Sequence, residues 1–136
     1  MQLSAAVSLY HPIVFNGAYI GRSSADIMTV EAYIANPADN SRKSAILILT
    51  DVIGHGFINA QLIADQFAAN GYFVVMPDLF HGDPIPLNMP PGFDFSSWLQ
   101  GHQAPNVDPT VESVLKELRA SGYEKIGAVG YCFGVR

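Results

Sequence analysis

The sequence predicts an α/β fold. Three observations carry this: strand-sized blocks alternate with helix-length segments, the first two blocks are apolar without interruption, and most connections between them are short. Ala45-Ile46-Leu47-Ile48-Leu49, Tyr72-Phe73-Val74-Val75-Met76 and the stretch from Lys125 to Gly130 are the blocks. A continuous apolar run is the mark of a strand covered on both faces. The order strand, helix, strand, long loop, helix, strand implies parallel strands joined by right-handed crossovers, with helices flanking a mainly parallel sheet.

Taken along the chain, Met28 to Ile34 alternates with period two and reads as a half-exposed strand in an edge hairpin region. The polar stretch from Pro37 to Lys43 is a turn leading into the first continuous strand. A helix is expected over about Asn59 to Ala69, capped by Asn59, with Leu62, Ile63 and Phe67 on one side and Asn70-Gly71 as its left-handed stop. The strand from Tyr72 ends at Pro77-Asp78, since proline lacks the N–H that a central ladder needs. From Gly82 to Val107 the chain is rich in Pro, Gly, Asn and aromatic residues. It reads as a long surface excursion, ordered by Phe93, Phe95 and Trp98, that serves as a lid or pocket wall. The last helix takes Asp108 as cap and Pro109 in its first turn, carries Val111, Val114, Leu115 and Leu118 on one face, and stops at Gly122. With no internal repeat or linker, residues 1–136 read as a single domain.

Composition narrows the function. Of 136 residues, 49% are hydrophobic and 14% charged, the make-up of a compact globular domain. A net charge of -5 and seven scattered Lys and Arg leave no basic surface for a phosphate backbone, so nucleic acid is not an expected partner. No apolar run approaches the roughly 18 residues that span a bilayer, and no membrane association is expected. Met1-Gln2-Leu3-Ser4 lacks the basic start and apolar segment of a secretory signal, which makes the cytoplasm the expected location. Cys132 is the single cysteine, so neither an internal disulfide nor a framework of thiolate metal ligands is available.

That cysteine stands in Gly130-Tyr131-Cys132-Phe133-Gly134, directly after an expected strand. Glycines two residues either side are what a sharp strand-to-helix turn requires, because side chains there would collide with neighbouring backbone. With glycine at about 7% on average, both fall there by accident about once in two hundred cases, which favours a built turn. Two readings of Cys132 stand side by side. It is a small apolar residue buried in a glycine-containing turn, as most free cysteines are, or a nucleophile whose thiolate attacks an ester or lactone carbonyl. In the second case the N–H of Phe133 forms half of an oxyanion hole, and the loop after the strand ending at Thr50 supplies the other half.

Together with Thr50-Asp51-Val52-Ile53-Gly54 and the run from Tyr72 through Pro77-Asp78-Leu79-Phe80, the pentad resembles dienelactone hydrolases, most of all the fungal ones. The resemblance runs from about Tyr19 to Gly134 and takes in Phe93-Asp94-Phe95 and Trp98-Leu99. It implies the N-terminal portion of an α/β-hydrolase fold. It also implies hydrolysis of cyclic enol-lactones or related small esters by a Cys, Asp, His triad, with no metal or organic cofactor. Carried over residue by residue, it makes Cys132 the nucleophile, Phe133 and Val52 the oxyanion-hole amides, and Asp51 the acidic residue of the substrate pocket. Bacterial members resemble one another in having Glu at the position of Asp51, and a carboxylate that caps a turn is the alternative for Asp51.

In that fold the triad runs nucleophile, acid, histidine along the chain, and only Phe133, Gly134, Val135 and Arg136 follow Cys132. The expectation is a chain truncated just after the elbow, of doubtful activity by itself. The alternative is an inactive remnant or interaction fragment that self-associates through an exposed sheet edge. All four histidines, His11, His55, His81 and His102, precede the nucleophile. His55 and His81 fall at the carboxyl ends of strands, where open sheets bind ligands, yet with His102 they are expected to be loop histidines near a rim. A metal site built from His55, His81 and Asp83 lacks ligand spacing.

Overall fold

The computed structural model describes the backbone of residues 6–12, 14–15, 18–19 and 30–135, and the side chains of residues 30–135. Strands β1 (Ala6–Pro12), β2 (Val14–Phe15), β3 (Ala18–Tyr19), β4 (Glu31–Asn36) and β5 (Ser44–Leu49) are followed by helix α1 (Ile58–Ala69) and strand β6 (Phe73–Pro77). Then come helices α2 (Phe95–Gly101) and α3 (Ala104–Ala120), strand β7 (Lys125–Gly130) and a 3-10 turn over Cys132–Gly134. The main sheet has the order β1-β4-β6-β5-β7. Strand β5 is parallel to β6 and to β7, while β4 and β1 extend the sheet antiparallel beyond β6.

The continuous apolar strands behave as their composition dictates. Along β5, Ala45 and Leu47 face a core with Phe73, Val75, Val114 and Leu118, whereas Ile46 and Ile48 face a second core with Val74, Met76, Ala64 and Ala68. Neighbouring residues of a strand point to opposite faces, so α3 covers one side of the sheet and α1 the other. The strand read from Met28 begins at Glu31; Met28 and Thr29 lie outside the described residues. It is also no edge strand, since β4 lies between β1 and β6 and buries Ala32 on one face and Tyr33 and Ala35 on the other.

Two helices depart from expectation. On α1 the buried residues are Gln61, Ala64 and Ala68, and the Leu62 and Ile63 side points outward, with Leu62 53% exposed. Small side chains let the helix axis approach the sheet closely, and the larger ones are left on the far side. Phe57, not Asn59, precedes its first turn, and no side chain caps it. Helix α3 starts four residues earlier than Asp108, with a proline at its start and Pro109 inside it. Pro109, the sixth residue of the helix, therefore forgoes the backbone bond that another residue there would give the Pro105 carbonyl. The Gly82 to Val107 stretch is not an unstructured excursion: Asp94 caps α2 by accepting from the Ser97 N–H at 3.1 Å and the Ser97 hydroxyl at 2.7 Å. These bonds hold the Asp94 carboxyl below its usual range.

Strand β4 is tied to α1 by the Tyr33 hydroxyl, which donates to Asp65 Oδ1 at 2.8 Å. Burial, then the bond to and the charge of Asp65, push the phenol above its ordinary value. A raised folded-state value means that the contribution is complete below the unfolded phenol's value near 10 and is lost as pH rises above it. Tyr33→Phe is expected to cost about 1 kcal/mol at neutral pH and to flatten the alkaline limb of a urea-midpoint profile; an unchanged limb would remove Tyr33 as its cause. Among the described residues no helix is long and apolar enough to cross a membrane.

Candidate active site

The site is assembled where β5 and β7 end side by side. The Tyr131 N–H donates to the Leu49 carbonyl at 3.0 Å, which extends the ladder between the two strands by one residue. Beyond it the chain reverses: the Gly134 N–H bonds the Tyr131 carbonyl at 2.9 Å and the Val135 N–H bonds the Cys132 carbonyl at 3.2 Å. The flanking glycines are there because nothing else fits. A Cβ on Gly130 would lie 2.8 Å from the Gly134 carbonyl carbon, and one on Gly134 would lie 2.7 Å from the Leu49 carbonyl carbon. Between them Cys132 is held at φ 50°, in the left-handed region, and it is exposed. The buried-apolar reading of this cysteine therefore fails. A non-glycine residue in that region stores on the order of 1–3 kcal/mol.

Beside the elbow runs the loop after β5. Asp51 Oδ1 accepts the Ile53 N–H at 2.9 Å, and the Asp51 carbonyl accepts the Gly54 N–H at 3.2 Å. Its carboxylate thus caps its own turn, and it also lines a cleft of about 140 Å³ with Thr50, Phe57, Asn59, Ile63 and Tyr131. The Val52 carbonyl accepts the Ile85 N–H at 2.8 Å. Among the described residues no acceptor is bonded to the Val52 N–H.

Below the elbow lies a cluster of Leu79, Phe80, Ile85, Trp98 and Val107, all buried, with Val52 and Phe133 packed against it. The Phe133 ring meets Phe80 at 5.0 Å, nearly edge to face. The stretch expected to be a lid or pocket wall packs as a wall, with Ile85, Trp98 and Val107 buried beneath Val52 and Phe133. Trp98 was legible as an ordering residue, but the Phe80 and Ile85 contacts were not: a backbone N–H that bonds a distant loop leaves no mark in sequence.

The histidines divide differently from expectation. His55 is buried, with Nε2 3.5 Å from Glu31 Oε1 and Nδ1 3.9 Å from Asp78 Oδ1. Asp78 in turn accepts the N–H groups of Phe80 and Gly82. His102 is also buried, stacked on Trp98 at 4.2 Å, with Nδ1 2.6 Å from the Trp98 carbonyl. Both are packing residues and not rim groups. His81 is exposed, with Nε2 3.1 Å from the Asn106 carbonyl. His55, His81 and Asp83 thus keep separate partners, and among the described residues no group of three or more His, Cys, Asp or Glu side chains could hold a metal ion. The side chain of His11 lies outside the described residues.

A family model described as the dienelactone hydrolase family matches residues 30–136. The hydrolase pyvD of Aspergillus violaceofuscus is 51% identical over 106 residues, which cover 77% of this chain and 43% of the relative. The hydrolase tropI of Talaromyces stipitatus is 53% identical over 118 residues, 79% of this chain and 46% of the relative. The carboxymethylenebutenolidase homolog of Homo sapiens is 30% identical over 91% of this chain and 49% of its own length. The chain therefore spans about half the length of the curated relatives it matches. Among solved structures, a dienelactone hydrolase-like promiscuous phosphotriesterase from metagenomic libraries superposes with a TM-score of 0.58 at 21% identity, over 77% of this chain and 44% of that one. At that identity the likeness shows the α/β-hydrolase fold alone.

Proposed function

The chain belongs to the dienelactone hydrolase family, and from that premise we propose that it carries the nucleophile and oxyanion hole of an ester or lactone hydrolase. The observation that supports this most is Cys132, exposed and held at φ 50° between two glycines that tolerate no side chain. Strain of this kind is kept where a surrounding structure imposes it for use. The Cys132 thiolate attacks the carbonyl carbon, an S–C bond forms and the π pair moves onto oxygen. The N–H groups of Val52 and Phe133 stabilise that oxyanion. Its collapse breaks the ester C–O bond, the leaving oxygen takes a proton, and water then cleaves the thioester to carboxylate and thiol. In a lactone the leaving oxygen stays tethered to the product.

Asp51 is assigned to the wall of the substrate pocket, and no metal or organic cofactor takes part in these steps. The triad acid and histidine are proposed to come from chain beyond residue 136 in a longer product. A small ester or lactone is the partner, and the cytoplasm, where a lone thiol stays reduced, is the place.

A second reading, an interaction fragment, has its own support. Strand β7 is paired on one side only, by β5, and Ile58, Leu62, Ile63 and Tyr131 are exposed apolar groups near the same end of the sheet. One assay separates the two. The chain is treated with p-nitrophenyl acetate in a single turnover and the adduct mapped by mass. The nucleophile reading expects acetyl on Cys132, formed at least about tenfold faster than on glutathione at the same pH. A rate equal to that of glutathione, from a chain that sediments as a dimer, supports the fragment instead.

A further inference from the structure

We infer that Trp98 is a positioning residue that sets the two oxyanion-hole amides, those of Val52 and Phe133, in register with each other. This rests on Cys132 being the nucleophile and extends the site to a side chain on a separate helix.

Two arms reach from Trp98 to the two amides. In the first, the indole N–H donates to the Asp83 carbonyl at 2.8 Å, and two residues on, the Ile85 N–H donates to the Val52 carbonyl at 2.8 Å. The place of the Val52 loop is thereby referred to the indole through three residues of chain. In the second, Trp98, Phe80 and Phe133 meet ring to ring: 5.1 Å from Trp98 to Phe80, 5.0 Å from Phe80 to Phe133 and 6.1 Å from Trp98 to Phe133. These are the separations at which aromatic pairs attract. Phe133 follows Cys132 directly, so its packed ring anchors the residue that carries the second amide.

Trp98 itself is immobilised. Helix α2 has seven residues, too few to stand alone, and it is held by the Asp94 cap and by His102, which stacks on the indole and reaches the Trp98 carbonyl. A buried indole N–H needs an acceptor, and taking it from the Asp83 carbonyl selects one orientation of the ring. Oxyanion donors act only when well placed, and a shift of about 1 Å can cost on the order of a hundredfold in rate.

Two reactions of the same thiol test this in the full chain. In acylation by p-nitrophenyl acetate, the S–C bond forms as charge moves onto the carbonyl oxygen, and the C–O bond then breaks to release p-nitrophenolate. In alkylation by iodoacetamide, the S–C bond forms as the C–I bond breaks and iodide leaves, with no oxyanion. The ratio of the two rates therefore reads the amides apart from the access and ionisation of the thiol. Trp98→Phe removes the indole N–H and is expected to lower that ratio about tenfold, with alkylation unchanged and the Ile85 amide exchanging faster with solvent. Phe80→Leu cuts the ring contact instead and is expected to lower the ratio while Ile85 exchange stays as in the wild type. A Trp98→Phe chain that keeps the wild-type ratio, or loses both rates in step, overturns the positioning role alone. A wild-type chain acylated no faster than glutathione overturns the nucleophile and this role with it.

Discussion

Alanine at position 134 is expected to cost the fold about 3 kcal/mol or more. The added Cβ would lie 2.7 Å from both the carbonyl carbon and the Cβ of Leu49. Leu49 cannot withdraw, because its carbonyl receives the Tyr131 N–H and its strand is paired on both sides. Nor can the elbow, whose reversal is closed by its own backbone bonds. Gly127 is the internal control: it lies in β7, the strand leading into the elbow, at an ordinary φ, with nothing within 4 Å of an added Cβ. Alanine there is expected to be neutral or to stabilise by roughly 0.5 kcal/mol through the unfolded chain. Urea midpoints of the two variants check this, and equal midpoints would mean that the elbow does not press on β5 as described.

Substitution of Cys132 is expected to separate stability from chemistry. In a form of the protein that hydrolyses an activated ester, Cys132→Ala should lower kcat/KM about a thousandfold or more; residues 1–136 hold no other thiol to take its place. Cys132→Gly should lose as much activity yet stand roughly 0.5–1 kcal/mol above Cys132→Ala in stability. Glycine enters the left-handed region without a steric penalty, and its larger unfolded-state entropy offsets part of the gain. Paired denaturation curves read the difference. A glycine variant no more stable than the alanine one would show that the φ of 50° stores nothing, and full activity in either variant would remove Cys132 from the mechanism.

What the sequence disclosed follows from how local each signal is. Strand β7, largely exposed at the sheet edge, was legible because a helix stop precedes it and the elbow follows it, and β5 and β6 because five or six consecutive residues carry the whole message of burial on two faces. The elbow was legible for the same reason, its requirement being met within the five residues from Gly130 to Gly134. Helix α1 was found but its face was read only in part: Phe67 packs against the core with Ala64 and Ala68, whereas Leu62 and Ile63 point outward, and periodicity cannot tell which of them the sheet admits. Closeness of packing decided for the alanines. The α3 start was missed because Pro105 and Pro109 sit one turn apart and either can open a helix. The packing of the wall under the elbow was missed because it depends on contacts such as Ile85 to Val52 and Trp98 to Asp83, each joining residues whose types predict no partner.

The pairing of β7 with β5 also governs when a reactive cysteine can come into being. Ser44 pairs with Lys125 and Leu49 with Gly130, so the elbow is bent against a strand about eighty residues earlier in the chain, and contacts that close such long loops form late in folding. During synthesis Cys132 emerges after all the strands described above. It acquires its left-handed, outward pose only when β5 is already seated between its neighbours. A nascent or misfolded chain therefore presents an unstrained thiol, and the strained one exists only once β7 has paired with β5.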